Sequence, residues 1–170
     1  MQMQNDLMVA ADLQRWLVEE IGEILKDVPS KKDTGFTTTG FTGYEQFLPV
    51  LQNDDDDPDQ FFPYYIVRLD KASTKDEGDL WTVTADILLG IHDARTENNG
   101  HRILLDAITR ITTRFSMEAT SGNPRYKAFR CLPEMEWGLQ DEDTWPYFFA
   151  GIELKFVMPK PERRDPFGWD

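Results

Sequence analysis

The chain has 170 residues, a formal net charge of −13 and one cysteine, Cys131. This length predicts one domain with a sizeable core, and a single cysteine excludes a disulfide within the chain. The acidic net charge disfavours a sequence-specific DNA-binding protein, because such a protein needs a basic patch. The N-terminus lacks the basic region and unbroken apolar stretch of a secretory signal, and no apolar run approaches the ~20 residues of a membrane span. The sequence therefore predicts a soluble protein.

The first predicted element is an amphipathic helix over residues 5–28. Its apolar residues recur at helical spacing, at Leu13, Leu17, Ile21, Ile24 and Val28. Asp6 offers an N-cap, and Pro29 ends the helix because the residue before a proline avoids the α region.

Residues 29–60 are predicted to form a long loop or insertion. A Thr-Gly-aromatic triplet occurs three times, at residues 34–36, 39–41 and 42–44. Glycine at this density disfavours a helix, whereas threonine and aromatic residues favour an extended or hairpin conformation. The four aspartates at 54–57 are expected to be solvated. A calcium site is the alternative, although the run lacks the EF-hand pattern.

Two hairpins with a second helix between them are predicted after the loop. Residues 61–72 and 80–91 form the first hairpin, and residues 129–139 and 147–158 form the second, because apolar and polar residues alternate along them. The helix over residues 98–117 has a stripe of five apolar residues, Leu104, Ala107, Ile108, Ile111 and Phe115.

These elements predict an α+β fold in the order α-(long loop)-β-β-α-β-β. Two helices packed on one face of a four-stranded antiparallel sheet bury both apolar stripes. The opposite face is expected to be polar, since it carries Thr82, Thr84, Asp86, Glu134, Glu136, Glu153 and Lys155. Residues 1–158 make up the domain, and residues 159–170, rich in proline and charge, form an extended C-terminal arm.

The sequence shows no catalytic signature. His92 and His101 have no Cys or second His at metal-ligand spacing, and His92-Asp93 is not accompanied by a nucleophile motif, so surface or capping roles are expected. Cys131 is expected to be a buried small hydrophobe rather than a reactive thiol. There is no Walker loop and no G-x-G-x-x-G motif. We therefore expect no cofactor, no metal and no enzymatic activity.

Aromatic residues in the two least regular segments are candidate contacts with another subunit or a partner. They are Phe36, Phe41, Tyr44 and Phe47 in the predicted loop, and Phe167 and Trp169 in the arm. Some are expected to belong to the core. The alternative is that they pack on another subunit, because exposed aromatic residues concentrate at interfaces.

The two predicted hairpins resemble those of siphophage tail-terminator proteins. The first is carried by FPYYIVRLD at 62–70, WTV at 81–83 and ILLGIHD at 87–93. The second is carried by MEWGL at 135–139 and TWPYFFAGIEL at 144–154. The resemblance extends in order over residues 60–160, with a helix between the hairpins.

The resemblance implies a structural virion protein, located in the tail or neck after assembly in the host cytoplasm. Such a protein forms a ring, expected to be a hexamer, that caps the tail tube and joins the tail to the head connector. The implied partners are copies of itself, the tail-tube protein and the neck proteins, while DNA passes through the lumen without specific binding and no membrane is involved. Another neck or head-completion protein, an adaptor or a stopper, is the alternative. A small ligand-binding domain or enzyme is disfavoured, because convergent polar residues are lacking.

Overall fold

The computed structural model of the chain describes residues 9–31, 37–53, 55–76 and 78–160. These residues form two α-helices, seven β-strands and two single 3-10 turns. The helices are α1 (Val9–Leu25) and α2 (His101–Met117), and the 3-10 turns are Pro58–Phe61 and Pro124–Tyr126. The strands are β1 (Pro29–Lys31), β2 (Thr37–Thr39), β3 (Thr42–Glu45), β4 (Tyr64–Ser73), β5 (Trp81–His92), β6 (Arg130–Leu139) and β7 (Tyr147–Met158).

Five strands form the main sheet, in the order β3-β4-β5-β7-β6. All neighbouring pairs are antiparallel except β3 and β4, which are parallel. The α+β class is confirmed, but the prediction of a four-stranded antiparallel sheet is wrong, because the sheet has five strands and is mixed. The difference arises in residues 29–60, which were predicted to be a long loop. This segment contains β3 and the antiparallel pair β1–β2.

The side chain of Gln46 completes the edge strand β3. Its amide nitrogen donates to the Leu69 carbonyl at 3.2 Å, and its amide oxygen accepts from the Leu69 N–H at 3.1 Å. The backbone of Gln46 meanwhile turns into the left-handed region, at φ 68°. A strand of four residues has too few positions to show a period of two, so its pairing with the distant β4 leaves no signal in the local sequence.

The other predicted elements are confirmed with shifted boundaries. β7 begins and ends as predicted, whereas α1 ends at Leu25, and residues 5–8 of its predicted start lie outside the described part of the chain. α2 begins three residues late, at His101, because Asn98 has a φ of 52°, which is incompatible with a right-handed helix. The predicted start of the first hairpin at residue 61 is instead the end of a 3-10 turn.

Both helices pack on the same face of the sheet and share one hydrophobic core. Trp16, which lies outside the predicted stripe of α1, is at the centre of this core. Its ring stacks on Phe129 and meets Phe115 and Phe156 edge-on, with centroids about 6 Å apart. Glu20 of α1 also accepts a hydrogen bond from Arg114 of α2 at 2.5 Å, which ties the two helices together. Neither helix in the described part of the chain combines the length and apolar character needed to cross a membrane.

Candidate subunit interface

The sheet face opposite α1 and α2 carries no helix among the described residues. We call it the open face. Side chains alternate between the two faces along each strand. In β5, Val83, Ala85 and Ile87 belong to the core, so the residues between them lie on the open face. The half nearer the β4–β5 turn is polar, as predicted. The other half is apolar, because Ile66 of β4 and Leu88 of β5 face each other there.

Three carboxylates lie side by side across the open face, and we call them the acidic row. Asp86 of β5 is opposite Glu153 of β7, and Glu153 is opposite Glu136 of β6. Arg68 of β4 faces Asp86 from the other side. Burial and the charge of Asp70 raise the pKa of Asp86, and Arg68 acts against them. Like charges directly opposite one another disfavour a sheet, and the charges of Arg68 on Asp86 and of Lys155 on Glu153 and Glu136 offset part of that cost.

A shallow depression of about 600 Å³, the glycine groove, includes the acidic row, since Asp86, Glu136 and Glu153 line it. Leu88, Gly151 and Gly138, which follow one another across β5, β7 and β6, line the rest of its floor. A second depression of about 370 Å³ continues it towards Phe149. A Cβ atom on Gly138 would meet nothing within 4 Å, and one on Gly151 would meet only the Leu88 Cδ2 atom, at 3.7 Å. The packing of the described residues would therefore tolerate a Cβ atom at both Gly138 and Gly151.

The far end of the open face is covered by aromatic residues and the 3-10 turn Pro58–Phe61. The ring of Phe62 lies 5.0 Å from that of Tyr64 and 5.2 Å from that of Tyr147. Tyr147 donates a hydrogen bond to Asp59 within the turn. Asp57 caps the turn by accepting from the Asp59 N–H at 2.9 Å, so this member of the aspartate run has a structural role beyond the solvated loop that was predicted.

Comparisons with known proteins yield no family for this chain: no protein-family model matches it, and no curated protein does either. The open face is therefore judged on its own geometry. Its two distinguishing features are the acidic row and the glycine groove.

The residues considered for catalysis are not brought together. Asp93 binds Arg95, with Nε 2.9 Å from Oδ1 and Nη2 2.6 Å from Oδ2, whereas His92 lies 4.0 Å from a carboxylate oxygen of Asp59. Burial acts to raise the pKa of Asp93, but hydrogen bonds from the side chain and backbone of Arg95 outweigh it and hold that pKa below its usual value. His101 lies at the first residue of α2. Within the described ranges, no three His, Cys, Asp or Glu side chains are grouped to hold a metal ion.

Cys131 is a buried residue, as expected. It is 3% exposed, and burial raises the pKa of its thiol to about 11. A thiol in this state is a poor nucleophile.

The six candidate aromatic residues have different surroundings. Phe36, Phe167 and Trp169 lie outside the described residues. Phe41 is 9% exposed and packs in the core, which leaves little of its ring for a partner. Tyr44 is half-buried against Phe61, with ring centroids 6.1 Å apart. Phe47 is 67% exposed, with the Arg68 guanidinium 5.2 Å from its ring centroid, and is the most accessible of the three described candidates.

Sequence reasoning missed other exposed apolar side chains. Trp137 follows the apolar alternation of β6, yet it is 54% exposed because β6 is the edge strand of the sheet. Val50 and Leu51 lie just after Phe47 and are exposed as well. The glycine groove was also missed, because Gly138 and Gly151 are thirteen residues apart in sequence and become neighbours only through the β6–β7 register.

Proposed function

We propose that this chain is a tail terminator, a structural virion protein that forms a ring, caps the tail tube and joins the tail to the head connector. The observation that carries the proposal is the open face. It combines two glycines, Gly138 and Gly151, that the packing of the described residues does not require, with a row of three carboxylates at directly opposed positions. Such a surface suits contact with another subunit better than it suits an isolated domain.

The edge strand β6 supports the same function. It pairs with β7 alone among the described strands, and its Trp137 is exposed at that edge. An unprotected sheet edge is a template for association with another chain. A contact between different surfaces of two copies, repeated head to tail, closes into a ring when the rotation permits.

The charge of the chain also supports a ring through which DNA passes. A net charge of −13 disfavours adhesion to phosphates, and the acidic row places three carboxylates together on one surface. DNA is accordingly expected to traverse the lumen without specific binding.

The proposal is tested by adding the purified chain to tail-tube protein encoded in the same genome and imaging the products by negative-stain electron microscopy. We expect tubes with a ring at one end and arrested growth at that end. Binding to the head-side adaptor complex but not to tubes would favour the alternative, an adaptor or stopper of the neck. A chain that binds neither assembly would contradict both.

A further inference from the structure

We infer that Gln46 blocks strand addition at the β3–β4 edge of the sheet, so that copies of this chain cannot polymerise edge to edge. The strand that it excludes is β6 of a second copy, because β6 is the longer edge strand of the sheet and pairs with β7 alone among the described strands. A sheet with two open edges can add copies without limit, whereas a sheet with one open edge cannot. The inference concerns the association of copies and goes beyond the capping of a tail tube.

The two edges of the sheet differ in length and in regularity. The edge strand β6 has ten residues, and its pairing with β7 is regular from Met135 to Leu139. The edge strand β3 has four residues and pairs with β4 only as far as Val67. A register shift then interrupts β4 between Leu69 and Lys71, and the Lys71 side chain is exposed. Short strands, bulges and edge lysines all disfavour pairing with another chain.

The side chain of Gln46 takes the place of a strand residue opposite Leu69. Its amide nitrogen and oxygen pair with the Leu69 carbonyl and N–H, at 3.2 and 3.1 Å. These are the two backbone groups that an added strand would need. The amide oxygen also accepts from Gln14 Nε2 at 2.9 Å, and the same nitrogen donates to the Val67 carbonyl at 2.9 Å. The helix α1 therefore holds the Gln46 side chain against the edge.

The backbone of Gln46 turns the chain away from the edge. Its φ of 68° and the hydrogen bond from the Phe47 N–H to the Glu45 carbonyl, at 2.7 Å, form a γ-turn of the rare, strained kind. The Gln46 N–H donates to the Val67 carbonyl at 3.0 Å, and the Gln46 carbonyl accepts from Arg68 Nε at 3.3 Å. Strained residues persist where their surroundings fix them, and they concentrate at positions with a function. The function that these contacts serve is to end β3 before it can present a longer edge.

Removal of the Gln46 side chain tests this inference on the full chain. Gln46→Ala frees both backbone groups of Leu69, so its mass by light scattering is expected to be about tenfold that of the wild type and still rising with concentration. The matched control is Gln14→Ala, which removes hydrogen bonds of the same network without uncovering Leu69 and is expected to assemble like the wild type. A Gln46→Ala variant with the circular dichroism spectrum and the mass of the wild type would overturn the inference. Equal growth in the two variants would overturn it as well, because the cause would then be lost stability.

Two further variants test the route of growth. Gln46→Lys is expected to keep the mass of the wild type, because a lysine on a sheet edge disfavours strand addition without pairing with Leu69. Trp137→Pro, added to Gln46→Ala, is expected to stop the growth, since it removes a backbone N–H from the outer side of β6. The Trp137 N–H lies on that side, because the Gln140 N–H donates to Phe149 of β7 at 3.2 Å and the direction alternates along the strand. Growth of Gln46→Lys equal to that of Gln46→Ala, or undiminished growth of the double variant, would contradict the inference.

Amide hydrogen exchange in the wild-type chain tests the block without a substitution, and it decides the question if Gln46→Ala does not fold. At a dilution where the chain is monomeric, the Leu69 N–H is expected to exchange about tenfold more slowly than the outward Trp137 N–H. Equal rates would show that Gln46 does not close this edge. Failure of the block leaves the proposed ring intact, whereas growth of Gln46→Ala from a wild-type chain that forms no ring would support the block and count against the proposed function.

Discussion

Glu136 of β6 and Glu153 of β7 lie directly opposite each other, and Asp86 flanks Glu153 on the other side. Lys155, the cation on β7, has its Nζ 3.0 Å from Oε2 of Glu134, and its charge also interacts with those of Glu153 and Glu136. The repulsion within the acidic row is therefore only partly offset in the free chain, and a further cationic partner would relieve the rest. Stability given up at a surface in this way is typical of sites shaped for binding.

Glu136→Gln should increase the free energy of unfolding of the monomer. The substitution removes one charge from the row, and cross-strand charge pairs contribute about 0.2–1 kcal/mol. Urea denaturation of dilute protein measures the change. Glu142→Gln, on the exposed β6–β7 loop, is the control and should have little effect. A loss of stability in Glu136→Gln would mean that the row does not repel.

Asp86→Asn should stabilise the chain increasingly as pH rises. Burial and the charge of Asp70 raise the pKa of Asp86 in the folded state. In the unfolded chain the pKa of an aspartate is ~3.9, so the folded chain keeps the Asp86 carboxyl protonated to a higher pH than the unfolded chain does. The contribution of Asp86 to stability therefore falls as pH rises from that value through the raised pKa. Urea midpoints of wild type and variant between about pH 4 and about pH 7 test this. A difference that stays constant with pH, or shrinks, would refute it.

Gly43→Ala should destabilise the fold by about 1–3 kcal/mol, the usual cost of overpacking. A Cβ atom at Gly43 would lie 2.3 Å from the Oη and Cζ atoms of Tyr65, whose hydroxyl donates to the Val18 carbonyl at 2.5 Å. The ring would have to move, and the tie between α1 and β4 would be lost. Thermal unfolding measures the effect. Gly138→Ala meets open space, so equal losses in the two variants would rule out this explanation.

Cys131 should react with a thiol reagent only when the chain unfolds. With a pKa of about 11, it is about 0.1% thiolate at pH ~8, whereas a free cysteine is roughly a quarter ionised there. Labelling with a disulfide reagent should be slow in buffer and fast in denaturing urea. Rapid labelling of native protein would show that this strand end opens readily.

Strong periodicity made the helices and hairpins predictable. Leu13, Leu17 and Ile21 mark one helix face, and the alternation in β5 and β7 marks two strands whose inward residues are buried, apart from the half-buried Trp81. Trp16 could not be placed as readily, because it lies beside the predicted stripe and its burial depends on Phe129 and Phe156, which are distant in sequence.

The open face was only half predictable. Its charges could be read from the sequence, because Asp86, Glu136 and Glu153 occupy the outward positions of their strands. Their alignment into one row depends on the registers of two strand pairs, and strand register is not a local property. The strand β3 was missed for a related reason. Its pairing with β4 involves only four residues and the side chain of Gln46, and so short a segment shows no alternation in the sequence.

The central claim is that this chain assembles with itself through surfaces that the monomer leaves open. The most direct test is the solution mass of the full chain by light scattering, over a range of protein and salt concentrations, with and without tail-tube protein. We predict that the 19.8 kDa monomer converts into a closed species, about 120 kDa for six copies. We also predict that added salt weakens this assembly, because ionic contacts are screened. A mass that stays at 19.8 kDa under all of these conditions, tube protein included, would contradict the account.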